Sequence, residues 1–154
     1  MFLDPAGGKD MAYAEATVVI NEKIDKIFDF ILDGRNNKLW RPRVKSVEYD
    51  SLEKIGVGSV FIQEMQGPPN KKIDADYKII ECEKYQRISF HILNGPYTPT
   101  GRFIFEQLDE GVKVTFSMSE LEDENPEKDT HFQKVVDDII NIGEINFEET
   151  IIVR

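Results

Sequence analysis

From Val44 to Leu121 apolar and polar residues alternate with a period of two, in runs too short for anything but strands. The runs cover residues 44–51, 58–66, 72–82, 87–93, 101–107 and 112–121. Gly56-Val57-Gly58, Gly67-Pro68-Pro69-Asn70, Asn94-Gly95-Pro96 and Asp109-Glu110-Gly111 punctuate them. Strands that follow one another through short turns predict an antiparallel meander. The alternation assigns an inner face of Phe61, Gln63, Met65, Ile73, Ala75, Tyr77, Ile79, Ile88, Phe90, Ile92, Phe103, Phe105, Val114, Phe116 and Met118. Asp74, Asp76, Lys78, Arg87, His91, Arg102, Lys113 and Ser117 fall on the other side. A sheet that is apolar on one face needs a cover.

The cover is read at the C-terminal end. Asn125-Pro126-Glu127 is a helix start with a capping amide, a proline at the first helical position and an acid in the first turn. Phe132, Val135, Val136, Ile139, Ile140, Gly143 and Phe147 then follow at helical spacing. Ile151-Ile152-Val153 either extend that helix, pack on the sheet or contact another subunit. At the other end, residues 14–20 predict a strand, and Asn21 is the expected cap of a helix carrying Ile24, Ile27, Phe28 and Ile31. Asp33-Gly34 ends that helix, and residues 36–42 suit one short turn stopped by Pro42. Residues 1–12 are expected to be a flexible tail and residues 13–154 a single domain.

Length and charge narrow the function classes. A chain of 154 residues is one ordinary domain with room for a sizeable core. Its formal net charge of -10 repels phosphate backbones and anionic lipid, so neither nucleic acid nor a membrane surface is an expected partner. Cys82 is the only cysteine, which rules out an intrachain disulfide. The first ten residues lack a basic stretch followed by an apolar run, and no apolar stretch approaches ~20 residues. A cytoplasmic protein without a membrane span is expected.

The order of elements carries a resemblance. Val19-Ile20-Asn21 leads into Ile27-Phe28-Asp29-Phe30-Ile31-Leu32-Asp33, and Leu39-Trp40-Arg41-Pro42-Arg43-Val44 follows. Gly56-Val57-Gly58-Ser59 opens a strand, and Ile79-Ile80-Glu81-Cys82 leads to Gln86-Arg87-Ile88-Ser89-Phe90, then to Phe103-Ile104-Phe105-Glu106 and Gly111-Val112-Lys113-Val114-Thr115-Phe116. Together these pieces, from Ala14 to Gly143, resemble the START-like (SRPBCC) superfamily, and within it the polyketide cyclase/dehydrase-like branch. The chain departs from the co-chaperone-like branch, whose members show a paired-Trp segment after the first helix, because only Trp40 stands here. The resemblance implies an α+β helix-grip fold: a curved seven-stranded antiparallel sheet around a long C-terminal helix, with two short helices between strands 1 and 2. It also implies a cavity between sheet and helix for lipids, hormones, polyketides or similar molecules, and it implies no catalysis by itself.

Expected ligand contacts are Trp40, Phe61, Gln63, Met65, Ala75, Tyr77, Phe90, Ile92, Tyr97, Phe103, Phe105, Phe116, Met118, Phe132, Val136, Ile139 and Gly143. The same residues suit a packed core equally well, but small Ala75 and Gly143 would leave room where sheet and helix meet. Gln63 and Tyr77, with Asn146 from the helix stripe, are polar groups that either meet a guest or satisfy one another. Trp40 is a wall or a plug, and Arg41 and Arg43 meet an acidic ligand group or surface acids. In helix-grip hormone receptors, loops placed like 67–70 and 94–100 form a lid, with Tyr97 here as its aromatic; ordinary hairpin loops are the alternative.

Two histidines, His91 and His131, make no metal site, and no cofactor motif is present. The acids Glu120, Glu122, Asp123, Glu124, Glu127 and Asp129 lack calcium-loop spacing. Tyr77 and His131 are the groups able to move a proton. The expected function is therefore binding or carrying a small hydrophobic molecule. A polyketide cyclase or dehydratase using the same cavity is the alternative, and a protein-interaction module the third.

Overall fold

In the first strand, Met11–Ile20 (β1), buried Ala12, Ala14 and Ile20 alternate with more exposed neighbours, so one side faces the interior. The structure is a computed structural model that describes residues 11–121 and 127–148. The expected tail up to residue 10, the Asn125-Pro126 helix start and Ile151-Ile152-Val153 lie outside the described residues. Met11 and Ala12, expected in the tail, belong to β1 and pair with Leu121 and Glu120.

After β1 come α1 (Ile24–Leu32) and a 3-10 helix, Gly34–Leu39. The strands β2 (Val44–Glu48), β3 (Val60–Gly67), β4 (Lys71–Asp74), β5 (Tyr77–Glu83), β6 (Arg87–Ile92), β7 (Thr100–Leu108) and β8 (Gly111–Leu121) follow. The chain continues through α2 (Lys128–Val136) into a second 3-10 segment, Asp137–Glu144. Seven strands form one curled antiparallel path, β1-β8-β7-β6-β5-β3-β2, and β4 pairs β3 beside it. This is the helix-grip arrangement: first and last strands are neighbours, the short helices fill the gap before β2, and α2 with its 3-10 extension lies over β1 and β8.

Three local expectations change. The N-cap position of helix α1 is Lys23, which makes no side-chain capping bond, so Asn21 is not its cap. The run 72–82 is broken between β4 and β5. There the Asp76 carboxylate accepts the Gln63 N–H at 3.0 Å and Asn94 Nδ2 at 3.0 Å, while the Asp76 N–H donates to Asn94 Oδ1 at 2.9 Å. Side-chain bonds of this kind replace ladder bonds and bend the strand away. Gly95 makes the approach possible, at φ +104, because a Cβ there would lie 2.6 Å from the Asp74 carbonyl oxygen.

The last helix differs as well. α2 gives way to a 3-10 segment, whose three-residue repeat directs Ile139 and Ile142 inward. Ile140 is 65% exposed. Gly143 is exposed too, so it opens no space between helix and sheet.

Candidate ligand-binding site

The space between the sheet and its helices is filled by aromatic side chains. Phe103 stacks on Phe116 with centroids 4.3 Å apart, Trp40 meets both edge-on, and Phe90 bridges from Phe103 to Tyr77. Tyr77 stacks on Phe61 at 5.1 Å, and Phe105 packs against Phe28 of α1 at 5.1 Å. Phe132, Val136, Ile139, Met118 and Ile92 are buried in the same body of residues, and Ala75 is buried outside it. Close-packed rings of this kind leave few voids.

A polar cluster sits inside this core. Asn37 Nδ2 donates to Gln63 Oε1 at 2.9 Å and to the Tyr77 hydroxyl at 3.2 Å, and Gln63 Nε2 donates to the Ala75 carbonyl at 3.3 Å. Gln63 and Tyr77 thus satisfy one another's neighbourhood through Asn37, a residue the strand pattern gave no reason to single out. Burial drives the Tyr77 hydroxyl's pKa upward, so it stays neutral. Beside it Arg41 is only 4% exposed and its Nε has no hydrogen-bond partner; the buried Trp40 Nε1 has none either. Arg41, Asn37, Tyr77, Phe90 and Phe103 border a void of about 10 Å³, room for one water.

A larger opening lies at the mouth. A groove of about 570 Å³ runs between the loop after β3, the loop before β7 and the first turns of α2. Met65, Pro68, Ile73, Pro96 and Tyr97 supply its apolar wall, and Arg43, His131, Lys134 and Glu127 its charged or titratable groups. Tyr97 reaches across from its loop, with its ring 4.9 Å from His131 and edge-on to Phe132 at 5.8 Å. Burial, reinforced by Arg43 and Lys134, lowers the His131 pKa below the usual histidine value, so the ring is neutral at pH 7.

Of the expected ligand contacts, Met65 and Tyr97 line the groove and Tyr77, Phe90 and Phe103 the small void; most others are packed core. Asn146 is exposed, contrary to an inward-facing role. Tyr77 and His131 belong to different openings and do not form a pair. His91 lies half-buried on the outer sheet face, 3.4 Å from the Thr100 hydroxyl. Lys134 is a part of the mouth that the residue pattern alone does not distinguish from ordinary helix surface. Among the described residues no group of three His, Cys, Asp or Glu side chains is arranged to hold a metal, and no helix is long and apolar enough to cross a membrane.

A model of the family described as Activator of Hsp90 ATPase homolog 1-like protein matches residues 21–140. The chain belongs to that family. The START-like resemblance therefore holds, and within that superfamily the matching Hsp90-activator-like model bears the co-chaperone homolog's name although Trp40 stands alone. Ginseng major latex-like protein 151 from Panax ginseng superposes with a TM-score of 0.67 at 16% identity, over 88% of this chain and 99% of its own. Ara h 8.0201 gives 0.66 at 16% identity, over 87% and 95%. An uncharacterized protein from Rhizobium leguminosarum gives 0.66 at 14% identity, over 88% and 93%. At such identities these likenesses show the fold alone. Among curated proteins none matches the chain.

Proposed function

We propose that this Hsp90-activator-like chain holds a small, largely apolar molecule in the groove at the mouth of the sheet. The observation that carries this is the groove itself: about 570 Å³ walled by Met65, Pro68, Ile73, Pro96 and Tyr97. That volume falls within the roughly 300–1,000 Å³ typical of small-molecule sites. The START-like resemblance, which implies a site for hydrophobic guests, supports the same reading. Because the interior between sheet and α2 is packed, the guest's body rests in the mouth rather than under the helix.

The test is an NMR titration of the isotopically labelled full chain with naphthalene, an uncharged apolar probe. Saturable shifts at the amides of Met65, Ile73, Tyr97 and His131 are expected. Unchanged amides at those positions would overturn the proposal.

A further inference from the structure

The groove combines an apolar wall with two cations, Arg43 and Lys134. Arg43 and Lys134 line it together with His131, and both act on the His131 ring through their charge. Neither cation has a carboxylate within 4.0 Å among the described residues, in a chain whose net charge is -10. The nearby acid is half-buried Asp138, which is shared: its charge acts on Arg43 and also on Arg41, which likewise has no ion-pair partner within that distance among the described residues. That carboxylate is thus divided between Arg43 in the groove lining and Arg41 beside the inner void, and neutralises Arg43 only in part. Lys134 is the second cation of the lining, and Glu127 is its acid.

In an acidic molecule with ten more carboxylates than cations, unpaired basic side chains gathered in one apolar groove mark where negative charge is to be received. We propose that the groove's guest is an amphipathic anion. Its carboxylate sits against Arg43, Lys134 and His131, and its apolar body lies along Met65, Pro68, Ile73, Pro96 and Tyr97. Arg43 supplies the forked donor that matches a carboxylate's two oxygens, while Lys134 acts as a point charge. This inference rests on the groove being the binding site and specifies the chemistry of what it takes.

Calorimetric titration of the full chain with dodecanoate and with dodecanol, below their aggregation limits, separates the two ideas. Dodecanoate should bind about tenfold more tightly than dodecanol, the size of one charge-assisted contact. In the double variant Arg43→Gln, Lys134→Gln that preference should shrink to about onefold, the loss falling on dodecanoate, whereas Arg43→Lys should retain part of it. Equal affinities for acid and alcohol in the unmodified chain, or a preference that survives the double variant, would overturn the anionic assignment and leave the groove as an apolar site. Failure of both ligands to bind would overturn the groove as a site altogether.

Discussion

Lys128 Nζ lies 2.6 Å from Glu120 Oε2, the lysine side chain 3% and the glutamate 18% exposed. The pair joins the first turn of α2 to the end of β8, and Glu120 Oε1 also accepts the Thr98 N–H at 2.7 Å. One carboxylate therefore ties together two of the walls that frame the groove. Glu120→Ala takes the only carboxylate in ion-pair range among the described residues from a buried ammonium, which keeps its bond to the Leu121 carbonyl at 3.1 Å, and should cost about 3 kcal/mol of unfolding free energy. Lys128→Met leaves a carboxylate that water still reaches, and should cost less than half as much. Urea denaturation midpoints at unchanged slope check the asymmetry.

Gly34 opens the 3-10 helix directly beneath the Tyr77 ring. A Cβ there would fall 1.8 Å from the Tyr77 hydroxyl and 3.0 Å from Phe61. Gly34→Ala should destabilise by about 2 kcal/mol through overpacking. Adding Tyr77→Phe removes the clashing oxygen, and Asn37 Nδ2 keeps Gln63 as an acceptor. The double variant should therefore be more stable than Gly34→Ala alone, a sign that thermal melts resolve.

Arg41 is a buried guanidinium with no ion pair among the described residues, above the Trp40 ring at 5.9 Å. Replacing such a charge by an apolar side chain of similar length recovers its desolvation cost. Arg41→Met should gain about 1 kcal/mol in stability, whereas Arg41→Ala, which opens a cavity, should not. A loss of stability in Arg41→Met would show that the charge is needed to balance Asp138.

His131 titrates below its ordinary value of 6.5 because of burial, then Arg43, then Lys134. The folded state thus resists protonation that the unfolded state accepts. Above 6.5 both states are neutral and nothing is lost; as pH falls below 6.5 the unfolded chain takes up a proton first and stability declines, until the folded ring protonates too. His131→Gln should flatten the stability profile in that window. Parallel profiles for the two proteins would contradict the assigned environment, in which the Tyr97 and Phe132 rings also face His131.

The period-two alternation made the inner face legible: Phe61, Tyr77, Phe90, Phe103 and Phe116 are all buried, because a strand directs every second side chain to the same side. The last helix was legible as an amphipathic stripe but not in its phase. Ile142 is buried and Gly143 exposed because the helix tightens after Val136, and nothing in the spacing of Ile139, Ile140 and Gly143 marks that change.

By itself, then, the amino-acid order determined the strand sequence, the buried face and the helical cover, since each follows from local periodicity and turn chemistry. Tertiary structure alone decided where open space remains. Whether facing rings from separate strands interlock or leave a hollow depends on packing across the sheet, and here Phe103 against Phe116 and Tyr77 against Phe61 close it. The break at Ala75-Asp76 likewise depends on Asn94, 18 residues away from Asp76 in the chain. The groove is assembled from the segment before β2, the loops after β3 and before β7, and a helix, which meet only in the fold and bring Arg43, Tyr97, His131 and Lys134 to one place.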